Sequence, residues 1–177
     1  MKYRTIVADP PWAYRSTLPP WQGGEGTRSV VPYSTMGIDE IKAIPVADFA
    51  DADAHLYLWT TNTHIRHAWE IASAWGFAYS TLLVWCKQPR GFAGFPTYSC
   101  TTEYVLFCRR GTLKATKRMD TTWFQWPRGP HSAKPEAFLD MVEQVSPGPY
   151  LEMFARRNRL GWDTWGNECL EHIEVAS

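Results

Sequence analysis

Apolar residues along this chain come in short bursts rather than long stretches. Residues 5–8, 55–59, 81–85, 104–108 and 150–154 are runs of four or five, rich in β-branched and aromatic side chains. Runs of that length and content predict strands buried on both faces. Between them the spacing changes. Ile65, Ala68, Trp69, Ala72 and Trp75 recur at helical intervals, with Asn62 or Thr63 as cap and Gly76 as stop. Phe138, Leu139, Met141, Val142 and Val145 do the same, with Pro135 suited to the first turn and Ser146-Pro147-Gly148 ending the helix. A shorter helix is expected over residues 38–44, before Pro45. Strands alternating with helices predict an α/β domain with a largely parallel sheet. Three stretches break the rhythm: 16–33, 88–101 and 111–133. The first has the length of a functional loop or lid.

Composition narrows the picture. At 177 residues the length fits one domain, 1–177, with a substantial core. Aromatics are 15% of the chain, ten of them tryptophan, more flat surface than a core alone requires. Formal net charge is zero, so no overall field draws the protein to a polyanion. Charge is nevertheless uneven. Residues 87–118 hold Lys87, Arg90, Arg109, Arg110, Lys114, Lys117 and Arg118 against Glu103 alone, a candidate track for a phosphate backbone. Cys86, Cys100, Cys108 and Cys169 show neither metal-site nor disulfide spacing, and His64 with His67 lacks companion ligands, so no metal is expected. No signal peptide or membrane-length apolar run is seen, and a cytoplasmic location without membrane association is expected.

Candidate chemistry sits where the first apolar run stops, at Asp9-Pro10-Pro11-Trp12. Ligands of α/β sheets bind at the carboxyl ends of strands. Asp9 can accept one proton of an exocyclic amine and the Pro10 carbonyl the other. Pro11 fixes its own φ and restricts Pro10 to extended conformations, so that carbonyl has little freedom. Trp12 offers a flat face for a base. An Asp-Pro-Pro turn closed by a core tryptophan is the structural alternative.

Motifs further along the chain weigh against that alternative. His131-Ser132-x-Lys134-Pro135, Leu151-Glu152-x-Phe154-x-Arg156 and Gly161-Trp162-Asp163-x-Trp165-Gly166-Asn167-Glu168 follow in order. With these, from about residue 5 to 168, the chain resembles the S-adenosylmethionine-dependent N6-adenine methyltransferases of the Asp-Pro-Pro-Trp type. That family includes the eukaryotic messenger-RNA adenosine methyltransferase and small bacterial and phage enzymes. The resemblance implies a Rossmann-like class I methyltransferase fold, a mostly parallel sheet with helices on both faces. It also implies a permuted motif order, with the catalytic strand first and the cofactor strand late.

By the same resemblance, Asp9, Pro10, Pro11 and Trp12 carry catalysis. Lys134 approaches the methionine carboxylate, and Arg156, Asn158, Asn167 and Glu168 bind ribose or nearby groups. Asp9, Glu152 and Phe154 complete the cofactor set; Trp12, Tyr33, Trp59, Trp85 and Lys87 face the nucleic acid. The eukaryotic RNA enzymes differ around Arg157-Asn158. No G-x-G-x-x-G occurs, which argues against a dinucleotide cofactor. The expected partner is nucleic acid, DNA before RNA, in a bacterial or phage-infected cell, with a homo- or hetero-oligomer left open. Alternatives are an RNA adenine enzyme, a cytosine N4 methyltransferase and a catalytically silent nucleic-acid-binding subunit.

Overall fold

The computed structural model describes residues 1–13, 35–89, 97–129 and 133–165. Seven strands form one sheet: β1 (Tyr3–Ala8), β2 (Ala50–Thr60), β3 (Ala78–Cys86), β4 (Thr102–Arg110), β5 (Trp123–Gln125), β6 (Tyr150–Met153) and β7 (Trp162–Trp165). Their order is β5-β3-β4-β2-β1-β6-β7. Only β4 runs against both its neighbours; the other described pairings are parallel. Six strands therefore end at one edge, and β4 begins there.

Side-chain alternation divides the sheet between two cores. Ile6, Ala8, Leu56, Leu58, Leu106 and Cys108 point one way, toward a cluster shared with Ile41, Ala68, Ile71 and Trp75. Those partners come from α1 (Ile38–Lys42) and from α3 (Ile65–Ala74) with its cap. Val7, Tyr57, Trp59 and Val105 point the other way, onto Phe138, Leu139 and Val142 of α4 (Glu136–Val145). Helices cover both faces, as the buried runs require. Each fully buried Leu or Ile contributes about 1.5–3 kcal/mol of burial, and truncating one to Ala costs about 2–5 kcal/mol.

The helix ends follow local chemistry. Gly76, at φ 81°, closes α3, with its N–H on the Ser73 carbonyl and the Phe77 N–H on that of Ala72. At the other end α3 is capped by His64, not by Asn62 or Thr63. Pro135 caps α4 from outside instead of entering its first turn. Strand β6 stops one residue short of expectation because Phe154 turns to φ 61° and donates its N–H to the Trp165 carbonyl. Strands β5 and β7 and the short helix α2 (Val46–Phe49) carry no aliphatic run or helical period long enough to predict them. The late placement of β6 beside β1 agrees with the permuted order.

Candidate active site

Asp9 follows β1 directly, with its N–H on the Met153 carbonyl at 3.4 Å. The Trp12 N–H folds back onto the Pro10 carbonyl at 2.9 Å, closing a three-residue turn whose centre is Pro11. Such a turn needs a central φ near that of the proline ring, so the sequence presets it. The Pro11 carbonyl in turn accepts the Met36 N–H at 2.9 Å. A carbonyl has two lone pairs, so that of Pro10 keeps one for a ligand.

Charged side chains gather at this edge from four separate strands or loops. Lys134 Nζ lies 2.6 Å from Asp9 Oδ2 and 3.4 Å from Glu103 Oε2. Glu103 Oε1 pairs with Lys87, completing an alternating chain Lys87–Glu103–Lys134–Asp9. Both ammonium groups also lie over indoles, Lys134 at 5.1 Å from the Trp59 ring centre and Lys87 at 4.9 Å from that of Trp85. Each such contact is worth about 0.5–2 kcal/mol, the more so when water is excluded. Burial works against the charge on Lys134, but Asp9 and Glu103 together outweigh it and hold the ammonium above its usual range. For Glu103 burial favours the neutral acid, and the two lysines more than offset it, so the carboxylate is held low.

A cleft of about 530 Å³, counted out to its open mouth, adjoins this chain. Asp9, Trp59, Lys134, Glu152, Phe154 and Arg156 line it above an apolar floor. Glu152 stands apart from its neighbours. Its Oε2 is buried without a hydrogen bond among the described residues. Burial, reinforced by Asp9 and Glu136, pushes its carboxyl up to about 7 against the pull of Arg157 and Arg159. A buried acceptor with no partner is costly unless something supplies one.

The other candidates fall in different places. Asn158 is not on the cleft; its Oδ1 accepts from Thr164 Oγ1 at 3.5 Å. Trp85 is 4% exposed, donates its indole N–H to the Trp126 carbonyl, and supports Lys87. Trp59 is core as well as cleft wall. Trp12 is 3% exposed and stacks on His64, ring centres 5.1 Å apart. Tyr33, Asn167, Glu168 and His131-Ser132 lie outside the described residues.

Two contributors were not foreseen. Glu103 is the lone acid of a basic stretch, and that isolation was the visible signal. Arg157 pairs with Glu136 at 2.7 Å and donates to the Lys134 carbonyl at 3.3 Å, tying the start of α4 to the segment after β6. The basic stretch itself divides. Lys87 is at the cleft edge. Arg109 and Arg110, at the far end of β4, and Lys117, bonded to Gln144 near the end of α4, are at the opposite edge.

The sheet is Rossmann-like, with a charged cluster and a cleft at the carboxyl edge of its parallel strands, where α/β domains bind their ligands. Residues 3–168 match the MT-A70 family model, and the chain belongs to that family. It is 32% identical to the type II methyltransferase M.MunI of a Mycoplasma species, covering 99% of this chain and 82% of that one. It is 25% identical to the human N(6)-adenosine-methyltransferase catalytic subunit METTL3, with 94% of this chain spanning 28% of that protein. Likeness to the mouse N(6)-adenine-specific methyltransferase METTL4 is 26%, over 96% of this chain and 38% of that one.

Proposed function

We propose that this chain transfers a methyl group from S-adenosylmethionine to the exocyclic N6 amine of adenine in nucleic acid, DNA before RNA. The observation that carries this is the juxtaposition of the Asp9 carboxylate and the free lone pair of Pro10 with the cleft. The cleft suits the cofactor: a lysine ammonium for its carboxylate, carboxylates for its two cationic centres, and an unpartnered Glu152 oxygen for a donor. Lys134, Glu152, Phe154 and Arg156 would hold it, together with Asn167 and Glu168. When bound, it supplies an electrophilic methyl group on a sulfonium.

What the protein's own residues do follows from the amine. Adenine's exocyclic nitrogen shares its lone pair with the ring and attacks poorly. Hydrogen bonds donated by its two N–H groups to an Asp9 carboxylate oxygen and to the Pro10 carbonyl draw it toward a tetrahedral shape and turn the lone pair out of the ring plane; once methylated, the nitrogen sheds one of those two protons. Asp9 Oδ2 is already engaged by Lys134, which orients the carboxylate and leaves Oδ1 for the amine. Positive charge develops on the nitrogen during transfer, and Asp9 lies where that charge appears. The remaining advantage is fixed orientation of the reacting groups. A base within a duplex cannot enter such a turn, so it is flipped out or single-stranded.

DNA precedes RNA because this chain is more similar to the type II methyltransferase, at 32% identity, than to METTL3, at 25%. The motif resemblance to small bacterial and phage enzymes also supports it, and with it a bacterial or phage-infected cytoplasm. No helix among the described residues is long and apolar enough to cross a membrane. With zero net charge, a partner subunit would add nucleic-acid contacts. Purified protein, labelled S-adenosylmethionine and matched DNA and RNA oligonucleotides, followed by nucleoside analysis, test the proposal. N6-methyladenine from DNA is expected. Product found only as N4-methylcytosine, or no product from either nucleic acid, would overturn it.

A further inference from the structure

Trp12 has the flat ring expected of a base platform, but its surroundings serve another purpose. The indole is 3% exposed, within a core cluster that includes Ile6, Ala8 and Ile41. His64 lies against it with ring planes 19° apart. A ring so enclosed has no free face for a base.

His64 is equally committed. Its Nε2 lies 3.2 Å from the Ala13 carbonyl, and its Nδ1 lies 3.1 Å from Thr61 Oγ1. A carbonyl can only accept, so Nε2 carries the hydrogen and Nδ1 accepts from the threonine hydroxyl. The imidazole is thus fixed in one tautomer at the start of α3. From there it grips the catalytic turn twice, by the Trp12 ring and by the next residue's carbonyl. Burial holds it below the usual histidine range, although the bond to Ala13 works the other way, which keeps it neutral for this task.

We propose that Trp12 and His64 are a pair of positioning residues that anchor residues 10–13 to α3 and thereby hold the Pro10 carbonyl and the Asp9 carboxylate in convergence. Base stacking then belongs to another surface. The proposal rests on the methyl-transfer reading above, and it gives His64 a role that neither the motifs nor the family match assign.

Steady-state and single-turnover rates on an oligonucleotide substrate test it in the full chain. His64→Gln keeps an N–H donor and loses the ring; His64→Phe keeps a ring and loses the donor. Trp12→Phe weakens the stack. Each should lower kcat on the order of 10–100-fold, because displacing a reacting group by about an ångström is enough for that loss. KM for the oligonucleotide and affinity for S-adenosylmethionine should stay within about twofold of wild type, as expected when an interaction made only in the transition state is lost. The Trp12→Phe/His64→Gln double variant should be no slower than the slower single one, since coupled residues fail to add.

If Trp12 is the platform, KM for the oligonucleotide rises, His64 variants are near wild type and the effects multiply. That outcome overturns the proposal. Should Trp12→Phe fail to fold, the kcat and KM split at the two His64 variants decides. NMR of the imidazole nitrogens in the wild type is independent of activity. A His64 that titrates as an ordinary exposed histidine with mixed tautomers overturns the clamp even if no substrate is found, whereas a persistent Nε2–H tautomer supports it.

Discussion

Two polar networks stand at opposite edges of the same sheet. At the far edge, His55 donates Nε2–H to the Leu113 carbonyl, Ser146 Oγ lies 2.8 Å from His55 Nδ1, and the Tyr57 hydroxyl lies 2.8 Å from the same Ser146 oxygen. All three side chains are at most 1% exposed, and each has its partner. Burial keeps this set neutral: it lowers His55 and pushes Tyr57 up to about 12. At the near edge the groups are charged, exposed by about a fifth, open to a cleft, and flanked by a Glu152 oxygen without a hydrogen bond among the described residues. A serine beside a histidine invites a nucleophilic reading, yet this pair is sealed and satisfied, so it joins α4 to β2. An unfinished set of charges facing a cleft is the candidate for chemistry.

The comparison breaks first, and hardest, at Lys134. Lys134→Ala leaves Asp9 and Glu103 facing each other without their cation. Loss of stability toward about 3 kcal/mol is expected, the lower end for breaking a buried pair, because both partners are partly exposed. Affinity for S-adenosylmethionine should also fall, by about 1–3 kcal/mol. Denaturant melts and calorimetry check the two effects. Far-edge Ser146→Ala should show the opposite profile: about 1–3 kcal/mol less stable from two stranded partners, with kcat within about twofold of wild type. A far-edge variant that disabled transfer without unfolding would erase the distinction.

Glu152 sharpens the contrast through pH. Its carboxyl rises from an ordinary 4.5 to about 7 on folding, so between those values the native state holds a proton that the unfolded chain has released. Stability therefore falls as pH rises through that window, by up to about 3 kcal/mol, and is recovered on acidification toward the lower value. Glu152→Gln should flatten this part of the profile in urea melts at stepped pH. Unchanged slope in the variant would remove Glu152 from the account.

The smallest effect concerns the basic stretch. Neutralising Arg109, Arg110, Lys114, Lys117 and Arg118 together was the natural way to weaken a phosphate track read from sequence. The fold places Arg109 beside His55, level with Thr5 rather than Asp9. The quintuple variant should now change the log–log salt slope of oligonucleotide binding by less than one phosphate contact, about 0.7–0.9. Lys87→Ala, at the cleft edge, should change it by about that amount. Fluorescence anisotropy across a salt series measures both, and the reverse order would put the nucleic acid at the far edge.

Much of the fold was legible because buried strands and amphipathic helices leave periodic traces. Residues 55–59 announce β2, and Gly76 ends α3 where its spacing says it should. Asp9 and Lys134 were legible as motif members, and the cleft unites them with Glu152, Phe154 and Arg156. Glu103 was not, because a local pattern cannot show that β4 is inserted antiparallel between β2 and β3 and so carries its first residues to the catalytic edge. Burial of Trp12 was hidden for the same reason: its covering partner, His64, arrives on a different element. Strand β7 escaped because Trp162 and Thr164 are buried while Asp163 is exposed, an alternation too short to stand out.

Asp9 is the group on which both edges' difference turns, since it alone would join the charged chain to the substrate amine. Asp9→Asn keeps the volume and one acceptor oxygen while removing the charge. Single-turnover transfer of labelled methyl to an adenine-containing oligonucleotide, with cofactor affinity measured in parallel, tests that role most directly. The expected result is a rate lower on the order of 100-fold or more with S-adenosylmethionine affinity within a few-fold of wild type. A folded Asp9→Asn protein that transfers methyl within a few-fold of the wild-type rate would contradict the account.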